Sequence, residues 1–208
     1  MSDDPDLERA YALETPDDSR VLYADWADSY DSGFAEASGY VLHLEVARHY
    51  ALIGGFGPVL DVGAGTGLCG VALAERGIGP VDGTDISPEM LAQARNKNIY
   101  RNMFAANLLD GLSPPDGLYQ GAVSSGTFTN GHVGPAGINA VLDVVRAGGW
   151  IVLSVNARHY EAVGFAAKLA EIAPRITEHS QTEVAIYTPD ATGPHASDTA
   201  LLLAFRKA

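Results

Sequence analysis

The stretch VLDVGAGTGLCG, Val59–Gly70, decides the fold because it joins a short apolar strand to a helix through a glycine-rich loop. Gly63, Gly65 and Gly67 have no Cβ and tolerate positive φ, so ligand atoms can approach the backbone closely. The helix that follows points its free N-terminal amides and the positive end of its dipole at the same space. The stretch therefore predicts a ligand site at the carboxyl end of a buried strand.

Strand and helix patterns alternate from Pro58 to the end of the chain. Strand patterns cover residues 58–62, 81–86, 99–107, 118–126, 150–156, 183–188 and 200–207, and helical patterns cover 68–77, 87–96, 135–148 and 160–173. Such alternation indicates βαβ units on a parallel sheet. The last two strands are joined by a Pro- and Gly-rich connector too short for a crossover helix, so they should form an antiparallel hairpin at the sheet edge. We predict an α/β fold with a doubly wound, mostly parallel seven-stranded sheet ending in that hairpin.

Two helices are expected ahead of the sheet, over residues 19–30 and 38–53. In the first, Tyr23, Trp26 and Tyr30 share one helical face at positions i, i+3 and i+7. This aromatic stripe either packs on the sheet or closes over a ligand as a lid. The 208 residues suit one domain, with N-terminal helices and lid in residues 1–55 and an α/β core in residues 56–208.

Composition limits the possible partners. The chain has 13 Lys and Arg against 26 Asp and Glu, for a net charge of −13, which repels nucleic-acid phosphates and anionic lipid surfaces. No run is long enough to span a membrane, and the acidic N-terminal stretch lacks the apolar region of a secretion signal. With one cysteine, Cys69, and no metal-binding histidine motif, we expect a cytoplasmic protein with no membrane partner and no metal.

The glycine loop also fits the dinucleotide pattern GxGxxG, at Gly65, Gly67 and Gly70. In a dinucleotide site, however, the first glycine of the triplet directly follows the strand, and here Gly63 takes that place. Asp61, at the carboxyl end of the strand, would repel a pyrophosphate and attract a cation; alternatively, it caps the loop amides. These details favour a cationic ligand, with a dinucleotide-dependent oxidoreductase as the alternative.

A second acidic residue, Asp85, ends the next strand about 20 residues beyond the loop. An acidic side chain at this position can accept hydrogen bonds from both hydroxyls of a ribose. Ser87 and Pro88 then predict a helix start, with Ser87 as N-cap and Pro88 at the first helical position. Asp61 and Asp85 together indicate an adenosine site with a cationic tail.

The motifs DVGAGTG and TDISPEML resemble the signature of class I S-adenosylmethionine-dependent methyltransferases, and the resemblance extends from Val59 to Ser154. More narrowly, YADWADSYD (Tyr23–Asp31) and SSGTFTNGHVGP (Ser124–Pro135) resemble the methyltransferase-like group that includes the Williams-Beuren region protein. The resemblance implies a transferase that moves a methyl group from the sulfonium of S-adenosylmethionine to a small acceptor. A protein that binds this cofactor without transfer is a further alternative.

The resemblance also implies a set of cofactor-binding residues. It comprises Tyr23, Trp26, Tyr30, Asp61, Gly63, Ala64, Gly65, Thr66, Gly67, Asp85, Ile86, Met90, Asn107, Leu108 and Ser125. Ile86 and Met90 would contact the adenine, and Asn107 and Leu108 would lie at its amino edge. Asn107 stands where many members have Asp, but an amide oxygen can still accept a hydrogen bond from the adenine amino group.

The acceptor should lie beside the loops after the fourth and fifth strands, SSGTFTNGHVGP and NARHY. Transfer from a sulfonium is an in-line displacement, so alignment alone can supply much of the acceleration. If the acceptor must lose a proton, His132 is the candidate base because an imidazole titrates near neutrality. His132 alternatively orders its turn, and His159 and Tyr160 are further candidates whose alternative role is packing.

Overall fold

The computed structural model describes residues 16–208, and its centre is a mixed sheet. The strands are β1 Val59–Val62, β2 Val81–Asp85, β3 Tyr100–Ala105, β4 Tyr119–Phe128, β5 Val145–Asn156, β6 Ile176–Ala185 and β7 Thr199–Lys207. They lie in the order β3-β2-β1-β4-β5-β7-β6, and β1 to β5 are parallel. β7 is antiparallel to both β5 and β6, which confirms the predicted hairpin at the sheet edge.

Helices cover both faces of this sheet. They are α1 Pro16–Trp26, α2 Leu42–Leu52, α3 Leu68–Ala74, α4 Pro88–Asn96, α5 Gly137–Val144, α6 Ala157–Ala162 and α7 Phe165–Ile172. One buried cluster joins the sheet to α5 and α7 through Ile138 and Phe165, and another joins it to α2 and α3 through Val46 and Leu73. The doubly wound fold is therefore confirmed. Within residues 16–208, no helix has the length and apolar character needed to cross a membrane.

The strand order reverses between β1 and β4, which places a crevice at the carboxyl edge of the sheet. The loops after these two strands leave in opposite directions along the sheet, so a ligand can enter between them. The helix start after β2 also follows the sequence prediction. Ser87 caps α4 by accepting a hydrogen bond from the Met90 amide at 3.2 Å, and Pro88 occupies the first turn.

Several predicted boundaries were wrong, and strand pairing or glycine explains most of the differences. The helix expected over residues 135–148 ends at Val144, because Val145 already pairs with Tyr119 of β4. The helix expected over 160–173 is interrupted by Gly164, which has a φ of 86°. The strand expected over 183–188 instead covers residues 176–185, because β7 pairs with this earlier segment.

The N-terminal helices are shorter than predicted. α1 ends at Trp26, and Tyr30 begins a separate π-helical segment, Tyr30–Glu36. α2 begins at Leu42, because Tyr40 forms a β-bridge with Tyr187 that holds the chain extended just before the helix. The structure therefore has three helical segments ahead of the sheet where the sequence predicted two.

Candidate functional site

A cavity of about 750 Å³, partly open to solvent, lies at the carboxyl edge of the sheet beside β1 and β2. Its wall brings together many of the residues singled out in the sequence: Tyr23, Tyr30, Gly63, Gly65, Asp85, Ile86, Met90, Asn107, Leu108, Ser125 and His132. We call this space the first cavity.

The glycine loop leaves room on the cavity side. Gly63, Gly65 and Gly67 all have positive φ, at 69°, 55° and 94°. A Cβ added at Gly63 would overlap the hydroxyl of Thr127, whereas one added at Gly65 would have no protein atom within 4 Å. Gly65 also lines the first cavity, so its missing side chain leaves space for a ligand.

Asp85 joins the glycine loop to the start of α4. Its Oδ2 accepts a hydrogen bond from the Gly65 amide at 2.8 Å, and its Oδ1 accepts one from the Ser87 amide at 2.9 Å. An ionised carboxylate offers about four acceptor sites, so about two remain for hydroxyl donors in the cavity. Burial raises the pKa of Asp85, while the two amides oppose that rise. This geometry fits a ribose diol.

Residues of α4 and of the turn after β3 form the apolar part of the first cavity. Met90 and Leu108 are buried there, and Ile86 lies between Asp85 and the helix start. Asn107 uses its side-chain oxygen to accept a hydrogen bond from the Leu109 amide at 3.0 Å, which caps the 3₁₀ turn Leu108–Asp110. Because an amide oxygen has two lone pairs, one is still available to a ligand amino group.

Asp61 does not line either of the two cavities described here. It is fully buried, its Oδ2 accepts a hydrogen bond from the Tyr100 hydroxyl at 2.7 Å, and its Oδ1 has no partner among residues 16–208. Burial raises the pKa of Asp61 to about 7, and the nearby Asp85 adds to the rise. Asp61 is therefore only partly charged at neutral pH, whereas the sequence argument assumed a full negative charge.

Three residues form a clamp between the N-terminal region and the glycine loop, and two of them were not singled out in the sequence. Asp31 accepts hydrogen bonds from the Thr66 hydroxyl at 2.5 Å and from the Lys97 ammonium at 2.6 Å. The same ammonium donates to the Thr66 carbonyl at 2.6 Å. The clamp of Asp31, Thr66 and Lys97 thus ties the segment that follows α1 to the loop. Thr66, with Ala64 and Gly67, lies outside the wall of the first cavity.

A second cavity of about 590 Å³, also partly open to solvent, adjoins the first. Both walls contain Tyr23, Tyr30, Gly126 and His132. Trp26 lines the second cavity and not the first, and it is only 3% exposed. Trp26 packs with Met90, and Tyr23 and Tyr30 border the same cluster, so the stripe packs on α4 and not directly on the sheet. Tyr23 and Tyr30 also line both cavities, and closure of the stripe over a ligand stays a prediction.

His132 faces both cavities, and its ring centroid lies 5.4 Å from that of Tyr23. Burial lowers the pKa of His132 to about 4, and its Nε2 has no partner in the described part of the chain. Titration near neutrality, which the sequence argument assumed, is therefore wrong for this side chain. His132 is a neutral imidazole at physiological pH.

The other two candidates in the acceptor loops have packing contacts. His159 is buried, with its Nε2 3.3 Å from the Val133 carbonyl, and its ring meets that of Phe165. Tyr160 stacks on Phe165, and its hydroxyl accepts a hydrogen bond from Gln181 at 3.1 Å. Neither residue lines the first or the second cavity.

Comparison with known proteins agrees with this geometry. Residues 59–149 match the family model described as a methyltransferase domain. Methyltransferase-like protein 27 of Homo sapiens is 30% identical over 145 residues, which cover 65% of this chain and 56% of the human protein. The residues that match the family model include the glycine loop and Asp85. It spans little more than half the length of this human relative.

Solved structures of methyltransferases share the fold. A TehB-like S-adenosylmethionine-dependent methyltransferase from Corynebacterium glutamicum has a TM-score of 0.62 at 20% identity, over 90% of this chain and 99% of the other. The 1,6-didemethyltoxoflavin-N1-methyltransferase of Burkholderia thailandensis also has a TM-score of 0.62, at 19% identity, over 94% and 92% of the two chains. The methyltransferase match over residues 59–149 and the C-terminal hairpin favour a methyltransferase over the oxidoreductase alternative.

The clamp gives a first test of how the chain holds a ligand in the first cavity. Lys97→Ala removes the ammonium that joins Asp31 to the Thr66 carbonyl, so the N-terminal segment should close less firmly over the first cavity. Because Asp31 is partly solvated, we expect an affinity for S-adenosylhomocysteine that is reduced roughly three- to tenfold, and no larger loss. Isothermal titration calorimetry measures this affinity in the wild type and in the variant.

Lys168→Ala is the matched control for that experiment. Lys168 forms an ion pair with Glu171 at 2.6 Å on α7, outside both cavity walls, so its loss should leave the affinity unchanged. Equal affinities for the two variants would contradict a positioning role of the clamp.

Asp61 gives a second test, through the pH dependence of stability. Its folded pKa of about 7 lies above the unfolded value, so the folded state retains a proton that the unfolded chain releases above about pH 4. This contribution to stability is complete below about pH 4, decreases as the pH rises above that value, and is lost once the pH has risen through about 7. Asp61→Asn cannot titrate, so between pH 5 and 8 the wild type should lose about 2–4 kcal/mol more unfolding free energy than the variant.

Urea unfolding at intervals across that pH range provides the measurement. Parallel stability curves for the wild type and Asp61→Asn would show that Asp61 does not titrate where the buried geometry places it.

Proposed function

We propose that this chain binds S-adenosylmethionine in the first cavity and transfers its methyl group to a small-molecule acceptor in the second. The observation that carries the proposal is the joint position of Gly65 and Asp85. A loop with open space above it lies beside a carboxylate with free acceptor sites, at the carboxyl edge of β1 and β2. When bound, the cofactor supplies a methyl group made electrophilic by the attached sulfonium.

Each region of the first cavity has a role in this proposal. Asp85 accepts hydrogen bonds from the ribose hydroxyls, and Asn107 meets the amino edge of the adenine. Tyr23 and Tyr30 cover the methionine end, and Ser125 also contributes to the wall. The remaining adenine contacts come from the apolar residues Ile86, Met90 and Leu108.

The residues outside the first cavity act on the cofactor through others in this proposal. Thr66 holds the loop to Asp31, Trp26 supports the tyrosines of the stripe, and Ala64 and Gly67 shape the backbone turn. Asp61 lies one residue before the strand end, where a cationic group would favour its charged form. Its buried and unpartnered Oδ1 agrees with such a partner.

Charge supports a small acceptor. A net charge of −13 opposes binding of a nucleic acid. Among proteins with this fold, the Burkholderia structure has a small molecule, 1,6-didemethyltoxoflavin, bound together with S-adenosylhomocysteine. We further propose a cytoplasmic location, with which the single cysteine agrees.

His132 is proposed to contact the acceptor as a neutral hydrogen-bonding group. Its lowered pKa, about 4, leaves it uncharged, so we expect its Cε1–H resonance to stay constant from pH 5.5 to 8 in an NMR titration. The spectrum of His132→Gln assigns the resonance. A titration midpoint between pH 6 and 7 would contradict a permanently neutral His132. It would instead support His132 as the general base that the sequence suggested.

Transfer itself is tested with cofactor labelled in its methyl group and a pool of small metabolites. The expected result is a labelled product that forms with the wild type and not with Asp85→Asn. If the cofactor binds and no metabolite pool from any growth condition is labelled, the chain is a cofactor-binding protein without transfer activity, which is the remaining alternative.

A further inference from the structure

Charge is the first feature that limits what the second cavity can hold. Within residues 16–208, no Asp, Glu, Lys or Arg side chain contributes to its wall. Burial raises the pKa values of Tyr23, Tyr30 and Tyr40, so their hydroxyls are also neutral. A carboxylate or phosphate on the acceptor would lose water here without meeting an opposite charge.

Aromatic rings form much of the wall. Ring centroids lie 4.9 Å apart for Trp26 and Phe34, 5.8 Å for Phe34 and Tyr40, and 6.2 Å for Tyr40 and Tyr187. The series therefore continues from the aromatic stripe to Tyr187, two residues after the end of β6. Such rings bind flat aromatic groups through offset-stacked or edge-to-face contacts.

The polar atoms of this wall are mostly engaged by the protein itself. Ser154 Oγ accepts a hydrogen bond from the Gly126 amide at 2.9 Å. Asn156 Oδ1 accepts hydrogen bonds from the amides of Arg158 and His159 at 3.0 and 3.3 Å. By contrast, the Nε2 of His132 is buried and has no partner in the described region. This nitrogen is available for one hydrogen bond with the molecule that accepts the methyl group.

Proton balance restricts the reacting atom. An alkylammonium has a pKa near that of lysine, about 10.4, and must lose a proton before it can attack. His132 is a weak base because burial lowers its pKa to about 4, so it cannot hold that proton. A ring nitrogen of the pyridine or imidazole type needs no such step, because its lone pair is free at neutral pH.

We infer that the second cavity selects a planar, uncharged heteroaromatic acceptor and that a ring nitrogen of this acceptor is methylated. This inference rests on the proposed function and names its substrate class. The nitrogen lone pair forms the new C–N bond while the C–S bond breaks and its electron pair goes to sulfur, which leaves a thioether. The positive charge moves from sulfur to the ring, and any ring N–H proton leaves afterwards to water.

The aromatic wall suits this movement of charge. A cation lying over the faces of Trp26, Phe34 or Tyr40 is stabilised by the ring quadrupoles. Since the charge arrives on the acceptor only as the C–N bond forms, the stabilisation is greater in the transition state than with the neutral substrate. The same cavity therefore binds an uncharged ring and favours its conversion to a cation.

The test uses four bicyclic probes of similar size, titrated into the protein at pH 8 with saturating S-adenosylhomocysteine. They are isoquinoline, which is uncharged; N-methylisoquinolinium, a product-like cation; isoquinoline-1-carboxylate, an anion; and decahydroisoquinoline, a saturated ammonium. We expect isoquinoline to bind at least tenfold more tightly than the carboxylate and the saturated amine, and N-methylisoquinolinium to bind at least as tightly as isoquinoline.

A pair of variants checks that these differences arise in the second cavity. Thr129 lines it and is partly buried. Thr129→Lys places an ammonium in the cavity and should reduce the ratio of the dissociation constants of the carboxylate and isoquinoline at least fivefold. Thr129→Met adds an uncharged side chain of similar length and should leave this ratio unchanged. A gain for the anion is informative because a misfolded variant would bind no probe.

The outcomes separate this inference from the function on which it rests. Failure of S-adenosylhomocysteine to bind would overturn both. Binding of S-adenosylhomocysteine with equal or tighter binding of the carboxylate or the saturated amine, or with no probe bound, would overturn the substrate class and leave the methyltransferase proposal in place.

Discussion

Asp85→Asn should weaken S-adenosylhomocysteine binding about 100-fold, because the variant loses charge-assisted hydrogen bonds on both sides of the carboxylate. In the wild type, Asp85 holds the amides of Gly65 and Ser87 and keeps acceptor sites for the ribose. Hydrogen bonds to a charged group contribute about 1.5–3 kcal/mol each, so even at the lower end two of them amount to roughly two powers of ten in affinity. Calorimetry on the two proteins measures this difference.

Asp143→Asn is the matched control, since Asp143 is an exposed carboxylate of α5 that pairs with Arg175 far from both cavity walls. It should bind the ligand like the wild type. A dissociation constant for Asp85→Asn within threefold of the wild-type value would contradict the assignment of Asp85 to the ribose.

Gly65→Ala should reduce ligand affinity at least tenfold while the protein stays folded. The added methyl group meets no protein atom within 4 Å, so it enters the open space that the ligand needs. The φ of 55° at this position adds strain, which costs about 1 kcal/mol of stability for a residue with a side chain. Gly65→Ala should therefore lose much of its ligand affinity but only about 1 kcal/mol of its unfolding free energy.

Gly77→Ala provides a control with the same backbone problem. Gly77 also has positive φ, 70°, and open space at its Cβ, but it lies after α3 and outside both cavity walls. The two variants should lose similar unfolding free energy, and only Gly65→Ala should lose affinity. Unchanged binding in Gly65→Ala would show that the ligand does not pass over this loop.

Local patterns were enough to predict the sheet, its hairpin and the turn at Asp85. Alternating periods of two and 3.6 residues, a glycine loop and a Ser-Pro helix start all depend on neighbours in the chain. The fold class and the cap at Ser87 follow from them. Boundaries were less predictable, because pairing between Val145 and Tyr119 ended a helix that the local pattern would have continued.

The site details that the sequence missed depend on residues far apart in the chain. Tyr100 reaches Asp61 across 39 positions, and Lys97 reaches Asp31 across 66, with no local signal for either contact. Burial, which sets the pKa values of Asp61 and His132, is likewise a property of the packed fold. Residue type alone therefore suggested a charged Asp61 and a titrating His132, and the folded environment changed both.

Calorimetry of the wild-type protein with S-adenosylmethionine and, separately, with NADH tests the central claim most directly. Both ligands carry adenosine, but they differ in the group attached to its ribose: a cationic amino-acid chain in the first and a pyrophosphate in the second. We expect saturable 1:1 binding of S-adenosylmethionine at micromolar concentration and no heat from NADH. Binding of NADH without binding of S-adenosylmethionine would show that the first cavity is a dinucleotide site.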